Sequence, residues 1–209
     1  IGDSHGIAQI GFVEQLIEGK GYSLLMVTRA STPFLPPAVA ERAQAADPTQ
    51  VARNKALSQY LEQRSMTVFL GAWWNAYLKS ESFQGHFMDT LDWLKAQGHT
   101  IIVLEDVPEL PSSSYAECLL KSMDDCSVDA KEVETKLANF YRFKKAAQEK
   151  YPDIIWTNPR KVLCGESRCQ TVLNGIPLYR DESHLNNVGA IEIGKEYLKR
   201  FENPLPSRH

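Results

Sequence analysis

A serine, an aspartate and a histidine stand in two short phrases at opposite ends of this chain: Gly2-Asp3-Ser4-His5 near its start and Asp181-Glu182-Ser183-His184-Leu185 near its end. A serine hydroxyl is a poor nucleophile at neutral pH, so it needs a base to remove its proton and donors to hold the oxyanion that follows. His184 can be that base. Asp181, three residues earlier, can orient the imidazole and stabilise its charged form, and the i, i+3 spacing places both side chains on one side of a helical turn. Ser4 contributes twice, because its backbone N–H at a helix start points toward developing negative charge. Singly, each residue has an ordinary explanation: Gly, Asp and Ser are turn and N-cap residues, and a lone histidine is commonly a partly buried, hydrogen-bonded ring. Jointly they predict a Ser4, His184, Asp181 triad.

Positioning such groups needs a scaffold, and the pattern supplies one. Ile10, Val13, Leu16 and Ile17 repeat at helical spacing after Ser4 until Gly19 and Gly21 stop the run. Residues 22–27 read as a strand, and 29–39, with Pro33, Pro36 and Pro37, as a loop. Helices are predicted at 49–64, 83–96, 128–150 and 188–201, and strands at 66–70, 100–104 and 153–157. Strands separated by helices imply right-handed crossovers and a three-layer α/β/α sandwich with a mostly parallel sheet. Ligands in such sheets bind at the carboxyl ends of the strands, the edge that holds Ser4 and the loops after Leu70 and Leu104.

Composition agrees. A chain of 209 residues that is 43% hydrophobic can bury one substantial core, and no repeat divides it, so residues 1–209 read as a single domain. The net charge of -3 and scattered basic residues indicate neither a nucleic-acid groove nor a polybasic membrane patch. No apolar run approaches the roughly 20 residues of a membrane span. Only Ile1 precedes Gly2, and a G-D-S phrase normally ends a buried strand, so that strand is expected upstream of Ile1, in a larger protein of which this is a C-terminal part.

The four cysteines form two close pairs, Cys118 with Cys126 and Cys164 with Cys169, each in a polar loop. Local pairing into two small-loop disulfides is the simplest arrangement and implies an oxidising compartment. Zinc binding is a competing reading that the spacings and the lack of a nearby histidine disfavour, and free thiols in a cytosolic protein are another. No metal site is expected. Trp73 and Trp74, following a strand at the functional edge, are candidates for stacking on a sugar ring, whereas Trp93 and Trp156 fit the core.

At these residues the chain resembles the SGNH hydrolase superfamily, whose fold is flavodoxin-like. More narrowly it resembles the SGNH domain fused to membrane-bound acyltransferase family three proteins. That likeness rests on Gly2-Asp3-Ser4-His5, on Val68-Phe69-Leu70-Gly71-Ala72-Trp73-Trp74, on the paired cysteines, and on the run from Pro177 through His184 to Asn186. It implies a periplasmic domain, anchored to the inner membrane by its missing N-terminal part. A membrane acyltransferase domain in the same polypeptide would pass it an acyl group, with acetyl-CoA as the ultimate donor and no cofactor bound here. The acceptor would be a hydroxyl of a surface glycan such as lipopolysaccharide O-antigen. Two departures stand out. The loop of residues 28–40 lacks the superfamily's oxyanion-hole glycine, and Gly71-Ala72-Trp73-Trp74-Asn75 replaces G-x-N-D, so the oxyanion hole is expected from Ser4 and Asn75. An O-acetyl esterase with the same triad and a noncatalytic carbohydrate-binding module are the alternatives.

Overall fold

In the computed structural model of the chain, which describes residues 1–43, 47–110 and 126–205, the apolar runs after Met66 and His99 become neighbouring strands. β1 (Thr67–Gly71) and β2 (Thr100–Leu104) pair in parallel, Thr67 opposite Thr100 and Gly71 opposite Leu104. Further along, β3 (Val128–Asp129) pairs antiparallel with β5 (Arg168–Cys169), while β4 (Ile155–Thr157) joins β2 in parallel. A hairpin of β6 (Val172–Leu173) and β7 (Ile176–Pro177) follows. Four consecutive residues of β2, Ile101 to Leu104, are buried. Successive side chains point to opposite faces, so both faces of the sheet are covered, as the crossover helices require.

The helices are α1 (Ser4–Ala8), α2 (Ile10–Ile17), α3 (Pro37–Arg42), α4 (Pro48–Leu61), α5 (Trp74–Tyr77), α6 (Glu81–Ala96), α7 (Ala130–Lys136), α8 (Ala138–Lys150), α9 (Arg160–Leu163) and α10 (Asn187–Arg200). The first and last long helices lie together: Cβ atoms added at Gly11 and Gly194 would come within 2.8 Å of Ile191 and Gln15 side-chain carbons. Stacked rings of Trp74, Phe87 and Phe143 join α5, α6 and α8. No helix among the described residues is long and apolar enough to cross a membrane.

Two expectations differ from the structure. Residues 22–27 form no regular strand; Thr28 alone makes a parallel bridge, to Gly2, and Leu24, Leu25 and Met26 stay exposed. Ladder bonds need a neighbouring backbone. Between this segment and β1 only the residues around Gly2 intervene, and beyond them lies a groove lined by Tyr22, Leu25, Val27, Tyr60, Val68 and Phe69 among others. The single helix expected over 128–150 begins as β3 and then breaks at Leu137, where α7 ends and α8 starts. Neither Gly nor Pro marks that break.

Candidate active site

The serine turn is built by close backbone approach. Gly2 bridges Thr28 on one side and Gly71 on the other; its N–H donates to the Val27 carbonyl at 3.2 Å, and the Asp3 N–H donates to the Gly71 carbonyl at 3.2 Å. A Cβ on Gly2 would sit 1.7 Å from the Gly71 oxygen, and one on Gly71 would sit 2.8 Å from the Gly6 Cα. Only hydrogens fit there, and this is what lets α1 start directly on the end of β1.

Asp3, not Ser4, caps that helix. Its buried carboxylate accepts from the His5 N–H at 2.8 Å and the Gly6 N–H at 3.4 Å through one oxygen, and from the Trp73 N–H at 3.1 Å through the other. The Tyr77 hydroxyl is also bonded to it, and burial followed by the Asp3 charge pushes that phenol well above its usual range. One carboxylate thus ties the serine turn to the loop after β1. It also occupies the early amides of the helix, while the Ser4 N–H has no acceptor among the described residues.

Ser4 Oγ lies 2.9 Å from His184 Nε2. The other ring nitrogen, Nδ1, is 2.9 Å from both Asp181 oxygens. These partners select the tautomer in which Nδ1–H donates to the carboxylate and Nε2 accepts from the serine hydroxyl. Residues 181–184 are a turn rather than the helical turn expected from their spacing. Asp181 Oδ1 accepts from the Ser183 N–H at 3.0 Å and the His184 N–H at 2.8 Å, and this side-chain-closed turn brings the imidazole back over the carboxylate. Burial acts to raise the Asp181 carboxyl, but these two amides and the imidazole outweigh it and hold the group below its ordinary value. The turn is anchored by buried Leu178 and Leu185 and by Asn186. The Asn186 amide donates to the Pro177 carbonyl at 2.8 Å, and its oxygen accepts from the Gly189 N–H at 2.7 Å as the cap of α10.

Around this relay lies a second set of polar groups. Asn75 is buried, and its Nδ2 donates to Glu109 Oε1 at 3.0 Å, an oxygen that also accepts from the Trp73 indole N–H at 2.5 Å. The amide expected at the oxyanion hole is therefore engaged by a carboxylate. Asp106 accepts from the Trp74 N–H at 3.1 Å and the Asn75 N–H at 2.6 Å. Its complete burial pushes the carboxyl up to about 8, against the pull of those amides and Arg160. Arg160 donates to the Asp106 carbonyl and, at 2.8 Å, to the buried Glu105, which Lys144 meets from the other side at 2.6 Å. The loop after β2 is fixed by these charges, and its Leu110 N–H donates to the Glu182 carbonyl at 2.7 Å, linking it to the histidine turn.

Ser4, Asp181 and His184 thus come together, and Trp73, 37% exposed, stands beside them. Trp74, the other expected substrate residue, does not: it is buried, stacked on Phe87 at 4.4 Å, with its indole N–H donated to the Leu104 carbonyl at 2.8 Å. The short helix α5 turns it into the core. Cys164 and Cys169 form a disulfide. Cys126 is disulfide-bonded as well, and its expected partner Cys118 lies outside the described residues. Among the described residues no cluster of His, Cys, Asp or Glu could hold a metal ion. His5 and Asn186 stand within the phrases that carry the resemblance but had no role of their own there, and Glu109 and Asp106 were not singled out, although the Glu105-Asp106 pair right after a buried strand is a local signal.

The fold has counterparts. The periplasmic domain of a lipopolysaccharide acetyltransferase from Salmonella ser. Paratyphi A superposes with a TM-score of 0.64 at 18% identity, covering 95% of this chain and 80% of that one. A protein from Slackia heliotrinireducens, described as a candidate SGNH hydrolase, gives 0.52 at 10% identity, covering 95% and 94%. At such identities the likeness is one of fold. No curated protein matches the chain in sequence. Residues 1–199 match the SGNH domain that is fused to AT3 domains, and the chain belongs to that family.

Proposed function

We propose that this chain is the acyl-carrying domain of an O-acetyltransferase that modifies a sugar hydroxyl of a bacterial surface polysaccharide such as lipopolysaccharide O-antigen. The observation that carries this reading is the relay from Ser4 Oγ through His184 to Asp181, with 2.9 Å at each step. His184 takes the serine proton as Oγ bonds to the acyl carbonyl carbon, and returns it to the departing donor group as the donor bond breaks. A sugar hydroxyl then gives its proton to His184, attacks the acyl carbon and releases Ser4, which recovers that proton. The Ser4 N–H holds the oxyanion in both steps. Asn75 joins it when its amide exchanges Glu109 for the oxyanion.

The fused AT3 domains of the family support a donor delivered from the membrane, with acetyl-CoA as its ultimate source and the SGNH domain on the periplasmic side. The exposed Trp73 offers its face to the acceptor sugar. The groove between residues 22–27 and β1 supports, on this reading, a further strand beside β1. A carbohydrate esterase is the second reading, favoured by an Asp181 side chain that is 38% exposed and open to water.

The test uses the full-length protein in cells making the glycan. Ser4→Ala should abolish O-acetylation at unchanged protein level, and retained acetylation would refute the nucleophile. In membranes, acetate released from acetylated glycan without any transfer to fresh glycan would decide for the esterase.

A further inference from the structure

Three rings stand in a column at the site. The His5 ring lies 4.2 Å from that of His184, tilted by 35°, and on its other side 5.1 Å from Trp73, nearly parallel at 18°. His5 is 6% exposed, and neither of its ring nitrogens has a hydrogen-bond partner among the described residues. Asp3 Oδ1, at 3.8 Å from Nδ1, is beyond hydrogen-bonding reach. Burying two polar nitrogens unpaired is unfavourable. Their position is explained by what the flat faces touch, not by what the edges bond.

We propose that His5 is a positioning residue for acyl transfer: the face of its ring, not its nitrogens, holds the His184 imidazole in line and couples it to Trp73 at the acceptor side. This rests on the reading of His184 as the base. In the resting site the imidazole is held at both edges, by Ser4 and Asp181. Once Ser4 carries the acyl group its oxygen has no proton to donate, and the Nε2 edge is released until an acceptor hydroxyl arrives. Asp181 alone permits the ring to swing about the remaining bond. A flat neighbour on one face restricts that swing, and its π cloud favours the imidazolium that forms as the hydroxyl loses its proton. The acidic and basic groups facing His5 are Asp3, His184, Glu109 and Asp181; burial first, and the His184 charge among the rest, bring its own pKa down to about 4. Across the working range it is an uncharged plate.

Two variants of the full-length protein separate face from nitrogens. His5→Phe keeps a flat ring; His5→Leu fills the volume without one. With an activated acetyl ester as donor and the glycan as acceptor, His5→Phe should stay within about threefold of the parent, whereas His5→Leu should lower kcat about 10- to 100-fold, the scale of a small misplacement of a reacting group. Donor kcat/KM should not move, so donor KM should fall together with kcat; acyl-Ser4 should accumulate in His5→Leu by mass spectrometry, and the acid limb of the pH–rate profile of His5→Phe should match the parent. Equal loss in both variants, or a shifted acid limb in His5→Phe, would show that the nitrogens act and overturn the proposal, as would full activity of His5→Leu. Rates are taken per mole of enzyme that acylates in a single turnover, which removes any misfolded fraction. His184→Ala runs alongside: activity retained there sinks the base assignment, whereas its loss together with an unaffected His5→Leu sinks the role of His5 alone.

Discussion

The two turns that meet at the site are held by opposite means. The serine turn is fixed by main-chain contact inside the sheet, with Gly2 wedged between Thr28 and Gly71 and Asp3 buried beneath it. The histidine turn is fixed from the surface by side chains: Asp181 closes it, Asn186 clamps it, and its Glu182 carbonyl accepts from the Leu110 N–H of the loop after β2. The first cannot move without breaking the sheet edge. The second can be altered at its functional side chains while the scaffold stands. On the proposed reading, the nucleophile, which needs repeatable placement, sits on the sheet, whereas the base, which must respond to changing partners, sits on a turn.

The sharpest way to break this contrast is Gly2→Ala. A methyl group 1.7 Å from the Gly71 oxygen cannot be absorbed by a side-chain rotation, so the domain should lose more than about 4 kcal/mol or fail to fold, as read by thermal melting and soluble yield. The same contrast predicts large functional and small structural effects on the other turn. His184→Ala should lower acyl transfer about 10⁵-fold and Asp181→Asn about 10³- to 10⁴-fold, with melting temperatures within a few degrees of the parent. Adding Ser4→Ala to either should cost little more, because groups acting as one unit are not additive; additive losses would mean separate roles.

A smaller effect sharpens the comparison at the loop joining the turns. Asp106 has its pKa raised from 3.8 to about 8 by burial. The folded protein therefore binds this proton more tightly than the unfolded chain, so the associated stability is complete below pH 4 and is lost as pH climbs toward 8. Denaturant midpoints of the parent should carry a declining component between pH 5 and 8 that Asp106→Asn lacks. Identical pH slopes in parent and variant would contradict the protonated carboxyl.

The sequence made the relay legible because its three members sit in short phrases whose residue types match one chemistry, and the sheet was legible because β1 and β2 are uninterrupted apolar runs. What stayed hidden depends on direction or on distant partners. Trp73 and Trp74 are neighbours after the same strand, and only the turn of α5 sends one outward and the other against Phe87. His5 meets His184 face to face across the length of the chain, a contact without spacing or periodicity. The break at Leu137 passes unnoticed because apolar residues continue at helical intervals through it. Residues 22–27 have the composition of a strand, but composition does not supply a partner.

The Ser4 to His184 contact spans 180 positions of the chain, while Asp181 is only three from its histidine. Synthesis runs from the amino end, so Ser4 is made well before His184. Throughout that interval Ser4 is an ordinary alcohol, inert toward esters it meets. On the proposed reading, chemical competence requires this contact, and a reactive ester added during refolding would therefore time the meeting of Ser4 with His184.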